Sequence, residues 1–442
     1  MFIRCVFNNI YSFGKETEFN MFPAPRFTRL KSHCYSCGNF ELLKLASIYG
    51  ANGAGKSNLI KSLDLLKGVV VNGQIPTASY LRRVKHFHSL GTPTMMAIEF
   101  ITQGTAYLYA LEIGENAVER EELYLSGLGK KEDTLVFERT ASRDGAIALQ
   151  FSDTFMESDE GKVLKSVLEK NLIKPHKTAL KIIADLENPA LQHVARAYYW
   201  ITYDFIIITP AKRFLGLTHQ IDIDKEFRQF VDDTMCSIDI GIKEVLTTKK
   251  PIEEFFGKNN RTEIERIRRE IETNPLGIAR FLNEDGEDFI FVQEGEEIFG
   301  KQIQTKHETK EGELVTFEIS EESDGTRRLM EYLTVFFDIM TSDVTYFIDE
   351  LERSIHPLLI KEFVRKFSED SKTKGQLIFT THESNLLNQE IFRQDEIWFA
   401  EKDHDGKTDL YPLSEFKEHN TKDIQRGYLA GRYGAIPNGL HK

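Results

Sequence analysis

The chain opens on alternation. From Met1 to about Phe22, apolar and polar residues alternate (Phe2, Arg4, Val6, then Thr17, Phe19, Met21) around a Ser12-Phe13-Gly14 turn, which predicts a β-hairpin. LLKLASIYG then reads as a buried strand. It runs straight into GANGAGKS and a segment, NLIKSLDLLKGVV, whose Leu59, Leu63 and Leu66 share one helical face. Alternation returns from Met95 to Tyr124, broken at Gly104 and Gly114, and predicts antiparallel strands of the same unit. Between about Phe155 and Gly300 the period changes. GKVLKSVLEKNL, PALQHVARAYYWITYDF, KEFRQFVDDTM and TEIERIRREIET all read as helices. In the last of these, Thr262 and Glu265 have capping-box spacing, and Ile264, Ile267 and Ile271 form an apolar stripe.

Strand-like alternation resumes near Phe289 and at LVTFEIS, followed by GTRRLMEYLTVFFDIM, a helix with Leu329, Leu333 and Phe336 inward. VTYFIDE, QLIFTTH and DEIWFAE are strands. HPLLIKEFVRKF is a helix between the first two, with Pro357 suited to its first turn. Strand, helix, strand predicts a mostly parallel sheet in an α/β chain. The pattern divides the sequence into residues 1–154, an inserted helical lobe at 155–300, and residues 301–442.

Composition narrows the function. At 442 residues, 41% hydrophobic and 28% charged, the chain has the make-up of a folded protein with room for two or three units. Its net charge of -13 repels a phosphate backbone unless basic residues cluster locally, so nucleic acid is not the favoured partner. The N-terminal stretch lacks the continuous apolar region of an export signal. The longest apolar run, around Ile206, falls well short of the roughly 20 residues of a membrane span. A cytoplasmic location without membrane contact is expected. Cys34 and Cys37 form a CxxC beside His33, but Cys5 and Cys236 offer no second pair, so free thiols in a loop are expected.

Gly50-Ala51-Asn52-Gly53-Ala54-Gly55-Lys56-Ser57 is a full GxxxxGK[ST] motif, set between a buried strand and an amphipathic helix. Its glycines let backbone N–H groups turn inward onto phosphate oxygens, and the helix adds its positive end. Lys56 is expected on the β- and γ-phosphates and Ser57 on Mg²⁺, with Asn58 completing the loop. A second signal is the strand YFIDE. Asp349 can hold Mg²⁺, and Glu350 is placed to polarise an attacking water. Lys56 and Asp349 lie 293 positions apart, far beyond the spacing of ring-forming AAA+ ATPases, which requires an insertion between them. A third signal is His382, at the end of QLIFTTH and 32 positions after Glu350, suited to sensing a γ-phosphate. Upstream, SDGTRR opens a helix. Ser323 and Gly325 there offer either a plain N-cap or an anion site for a partner's nucleotide.

Together GANGAGKS, SDGTRR, YFIDE, LERSIHP and TTHES resemble the head of an ABC-type ATPase of the SMC, RecF and OLD group. Within it they resemble the ATP-binding proteins of bacterial abortive-infection and anti-phage systems, including the AriA-like ATPases of the two-component PARIS systems. The Gly427–Pro437 segment, GYLAGRYGAIP, supports that branch. The resemblance implies an ABC-type head, with a P-loop core sheet plus an antiparallel β subdomain, split by the inserted lobe. It further implies ATP and Mg²⁺ as ligands, a head-to-head dimer or higher homo-oligomer, and Ser323 and Gly325 contacting ATP across the interface. Ser354 to His356 would couple the two sites, and Gln103 is a candidate for the Mg²⁺-sensing glutamine. Asp324 stands where transporter ATPases have Gly.

OLD-type proteins carry a Toprim nuclease, and Asp403-His404-Asp405-Gly406 offers a DxD pair; but the 60 residues after His382 suit two strands joined by an Asp-Gly turn better. Any effector is then expected in trans, a Toprim nuclease being one option, with a phage-encoded trigger. The alternative is a RecF- or SMC-like repair ATPase that clamps DNA.

Overall fold

The computed structural model describes the chain except residues 90, 143–144, 211–216, 239, 257–259, 275–276, 283–287, 354, 417, 419–422 and 437–442. Ser354 and Pro437, each named above, therefore lie outside the described residues. Two compact units are present: Met1–Pro210 with Ile339–Arg353 and Pro357–Lys442, and Ala211–Asp338 with Ser354–His356.

Among its described residues, the first unit has a small two-stranded sheet, Cys34–Cys37 with Phe40–Leu43, and two large ones. Among the described residues, one has six strands in the order Phe205–Ile208, Thr345–Ile348, Gln376–Thr380, Leu45–Tyr49, Ile397–Lys402 and Thr408–Pro412. The first five are parallel and the last is antiparallel. The other is a seven-stranded antiparallel sheet. It includes the expected N-terminal hairpin, Phe2–Asn8 with Thr17–Asn20, and the strands Thr94–Thr102, Thr105–Ile113 and Val118–Leu125. These are the core sheet and the antiparallel β subdomain expected of this α/β chain.

Aromatic rings join the sheets. Phe347 of the core sheet meets Phe2 edge-on at 5.1 Å and Phe205 at 5.5 Å, and all three are fully buried. The helix Lys56–Asn72 packs onto this core through Leu59, Leu63 and Leu66, the stripe expected from the sequence. Cys34 and Cys37 lie on the short strand Cys34–Cys37 rather than in a loop. His33 turns away to the Glu396 carboxylate at 2.9 Å, and burial pushes the Cys34 thiol up to about 11.

The region expected as one helical lobe, 155–300, is divided differently. Leu168, Leu180, Ile183, Val194 and Trp200 pack into the core of the first unit, and Phe205–Ile208 becomes an edge strand of its parallel sheet. Its β-forming residues gain ladder bonds on one side, to the acidic strand, a long-range pairing that local periodicity cannot reveal.

The second unit is mixed. Strands Ile242–Pro251, Glu297–Glu308, Asp288–Glu294 and Ile278–Leu282 form an antiparallel sheet, with Leu314–Glu318 paired to the second of these. The helix Arg261–Thr273 lays Ile267 and Ile271 on it, with Ile264 half-buried. Its N-cap is Asn260, so Thr262 falls inside the first turn and the expected capping box with Glu265 does not form. No helix among the described residues is long and apolar enough to cross a membrane.

Phe347→Ala removes the ring shared by both sheets, and should cost about 3–5 kcal/mol. Urea unfolding of the two proteins, followed by near-ultraviolet circular dichroism, measures the loss; a midpoint unchanged from wild type would show that the two sheets do not depend on this contact.

Candidate functional site

Every parallel strand of the core sheet ends at the same edge, and the sequence places its chemistry there. Leu45–Tyr49 delivers the glycine-rich loop, Thr345–Ile348 delivers Asp349 and Glu350, and Gln376–Thr380 delivers His382. These strands are neighbours in the sheet, so residues remote in sequence converge.

The loop has the backbone its glycines allow. Gly53 has φ 79 and Gly55 φ 110, left-handed values that other residues adopt at a cost. A Cβ on Gly55 would also overlap the Thr408 hydroxyl. Asn52 and Gly53 form the exposed apex, whereas Ala54 and Lys56 are buried. The base of the loop is fixed by a relay. Asn58 Nδ2 donates to Ser12 Oγ at 2.7 Å, Ser12 Oγ lies 2.7 Å from Thr408 Oγ1, and Thr408 Oγ1 donates to the Ala54 carbonyl at 2.8 Å. Ser12 Oγ accepts from Asn58, and the single Thr408 proton faces both Ser12 Oγ and the Ala54 carbonyl. Asn58 thus braces the loop. Sequence reading named it, but missed Ser12 and Thr408, whose roles depend on tertiary pairing.

Lys56 Nζ donates to the Gly50 carbonyl at 2.7 Å and the Ala51 carbonyl at 3.2 Å, and lies 3.5 Å from His382 Nδ1. Burial lowers its pKa to about 8, against the pull of Asp349, Glu352 and Glu350. His382 is exposed overall, yet the packed part of its ring loses hydration, and that loss with the Lys56 charge holds it below the ordinary imidazole value. In the neutral ring, an Nδ1 that accepts from this ammonium leaves the proton on Nε2.

Ser57 Oγ donates to Asp349 Oδ1 at 3.0 Å. A hydroxyl and a carboxylate oxygen this close form a donor set suited to a hard divalent cation such as Mg²⁺. Glu350 follows with φ 55, a left-handed backbone unusual for a side-chain-bearing residue. Two residues of this acidic turn region escaped sequence reading. Glu352 Oε1 accepts the His382 backbone N–H at 2.6 Å, and Thr380 Oγ1 donates to Asp349 Oδ1 at 2.6 Å.

The remaining expected residues fall elsewhere. Ser323 and Gly325 belong to the second unit, where the helix Asp324–Thr341 begins; Ser323 Oγ accepts the Thr326 N–H at 3.1 Å, an N-cap bond. Gln103 is exposed in the two-residue turn between Thr94–Thr102 and Thr105–Ile113. Asp403 to Gly406 form the turn of the hairpin Ile397–Lys402 with Thr408–Pro412, as expected. The 427–436 segment packs Tyr428 and Tyr433 on Phe399, each with ring centroids at 5.6 Å, and Tyr428 also meets Tyr49 just before the loop.

The sequence matches the model of a family described as "AAA domain, putative AbiEii toxin, Type IV TA system" over residues 45–161 and 221–388, more than half of the chain. No curated protein shows significant sequence similarity to it. Among solved structures, the chain is similar to the SMC head domain from Thermotoga maritima, at 14% identity and TM-score 0.37, covering 93% of this chain and 98% of that one. It is also similar to the Smc head domain with an extended coiled coil bound to the C-terminal domain of ScpA from Pyrococcus furiosus, at 14% identity and TM-score 0.39, covering 98% of both. Identity and TM-score are low, and the fold rests on the strand order and loop geometry above.

The position of Lys56 gives a pH test. A phosphate chain binds the ammonium form, which is fully present below about pH 8 and lost above it in the nucleotide-free protein. ATP affinity should therefore be level up to about pH 8, then fall by about tenfold per pH unit until the higher pKa of the bound state is reached. A lysine at its ordinary 10.5 would delay that break, so a dissociation constant level to pH 10 would show that burial does not depress Lys56 in the free protein.

Proposed function

Because the chain belongs to this AAA-domain family, we propose that it is the ATP-binding and ATP-hydrolysing sensor or scaffold subunit of a bacterial anti-phage defence system. In this reading it controls a separate effector, a nuclease of the Toprim kind being the favoured class, through ATP-dependent head dimerisation. The observation that carries the ATPase part is the convergence of Lys56, Ser57, Asp349 and His382 at one sheet edge, with Ser57 Oγ 3.0 Å from Asp349 Oδ1 and Lys56 Nζ 3.5 Å from His382 Nδ1. The family description, which names a type IV toxin–antitoxin component, and the net charge of -13 support the defence part. A cytoplasmic location fits both.

Each residue has a stated task. The loop from Gly50 to Asn58 surrounds the phosphates with backbone N–H groups, and Lys56 leaves its carbonyl partners to pair with phosphate oxygens. Ser57 and Asp349 would hold Mg²⁺, which when bound neutralises charge between the β- and γ-phosphates. Glu350 accepts the proton of the attacking water, and His382 donates from Nε2 to the γ-phosphate. In a head-to-head pair, Ser323 and Gly325 of one copy would contact the nucleotide of the other, with Ser323 exchanging its N-cap bond for a phosphate oxygen. A phage-encoded protein as trigger completes the reading.

Lys56→Ala should abolish ATP binding while leaving the fold intact. Glu350→Gln should retain binding, lose about 100-fold or more in turnover, and accumulate the dimer in light scattering with ATP. Wild-type hydrolysis by that variant would take Glu350 out of the mechanism. Ser323→Arg should block both dimerisation and turnover; full turnover would leave Ser323 as an N-cap only. For the biological role, coexpression with the product of the adjacent gene should yield an ATP-sensitive complex. ATP-dependent DNA affinity that weakens steeply with salt would instead select the repair clamp.

A further inference from the structure

Thr380 ends the strand Gln376–Thr380, between the strand that delivers the glycine-rich loop and the strand that delivers the two acids. Its side chain is fully buried. Three bonds to the acidic turn start from this one residue. Its Oγ1 donates to Asp349 Oδ1 at 2.6 Å, the Glu350 N–H donates to the same Oγ1 at 2.9 Å, and the Leu351 N–H donates to its carbonyl at 3.1 Å. Three successive residues are thus tied to one neighbour.

The directions of these bonds are fixed by chemistry. A hydroxyl has one proton; here it is committed to Asp349, leaving a lone pair for the Glu350 N–H. Asp349 Oδ1 takes a second hydroxyl, from Ser57 at 3.0 Å, so Thr380 sets how this carboxylate presents itself beside Ser57. Glu350 has φ 55, a backbone state that is uphill for any residue with a Cβ and persists only where surrounding bonds determine it. Of the bonds around it, those at its own N–H and at that of Leu351 end on Thr380, while its carbonyl accepts the Arg353 N–H at 3.0 Å.

We propose that Thr380 is a positioning residue for the phosphoryl-transfer site: its hydroxyl fixes the orientation of Asp349 and holds the left-handed turn from which Glu350 projects. This rests on the ATPase reading above. Thr380 itself touches neither nucleotide nor water in the reaction; it acts through the two acids.

The test compares Thr380→Val, which keeps the shape and β-branching but loses the hydroxyl, with Thr380→Ser, which keeps the hydroxyl and loses a methyl. Steady-state ATP hydrolysis, ATP affinity and melting temperature are measured on the full chain, with Glu350→Gln as reference. Thr380→Val should lose about 10- to 100-fold in kcat with KM and ATP affinity within about threefold, because a misplaced group costs turnover more than binding. Thr380→Ser should retain kcat within about threefold despite a lower melting temperature. A folded Thr380→Val with wild-type kcat overturns the proposal. If Thr380→Val does not fold, Thr380→Ser decides: near-normal kcat supports the hydroxyl, and a tenfold loss in a folded protein overturns it. A wild type that does not hydrolyse ATP removes the underlying reading and the proposal with it. An active wild type, an inactive Glu350→Gln and a fully active Thr380→Val remove the proposal alone.

Discussion

Asp349 Oδ1 accepts hydrogen bonds from Ser57 and Thr380, and through them three strands of the parallel sheet are committed to one arrangement. Ser57 lies 292 positions from Asp349 and Thr380 31, and the three meet only because consecutive strands of the sheet run the same way and end at one edge. The meeting is sensitive to register. Thr380 is opposite Ile48, and Ile348 is opposite Phe379; a slip of one residue would turn Thr380 to the other face of the sheet and leave Asp349 with one donor fewer. Sheet pairing and site chemistry are therefore the same constraint, stated at two scales.

What holds that register lies beneath the site. Gln376 begins the strand that Thr380 ends, and its fully buried amide accepts the Phe2 N–H at 2.6 Å while donating to the Phe2 carbonyl at 3.1 Å and the Leu43 carbonyl at 3.0 Å. A buried amide satisfied in this way tolerates little displacement, since any shift strands polar atoms away from water. The apolar contact around Phe347 supplies bulk adhesion between the sheets, and Gln376 specifies their alignment. One strand thus carries an alignment group at its start and a chemical anchor at its end.

The parts legible in the sequence were those whose signal is local. The glycine-rich loop, the YFIDE strand and the apolar stripe of Leu59, Leu63 and Leu66 are each written in a short window, and each forms where it was expected. Phe205–Ile208 was not legible as a strand, because it follows a helix without a break and its partner, Thr345–Ile348, lies far downstream. The capping box at Thr262 failed for a finer reason: the helix starts with Asn260 as N-cap, and a pattern match cannot choose between adjacent frames. Thr380 stood inside a motif noted for its histidine. Nothing in a threonine at a strand end separates a β-branched core residue from a hydroxyl that anchors two acids; only the fold supplies that distinction.

Lys56 shows how the loop can be rigid before a nucleotide arrives. Its ammonium is buried at 5% exposure, and it sits on the Gly50 and Ala51 carbonyls rather than in water. That arrangement closes the loop on itself, because the lysine's own backbone cradle serves as its resting partner, and the relay through Asn58, Ser12 and Thr408 fixes the base. Two carbonyls solvate a cation less well than water does, which is why burial lowers the pKa to about 8. Pairing with phosphate would reverse that deficit, replacing neutral acceptors by charged ones. The loop is consequently preorganised in shape yet under-compensated in charge, so its affinity is concentrated on polyanions, and the ordering that such binding normally costs has already been met by the fold.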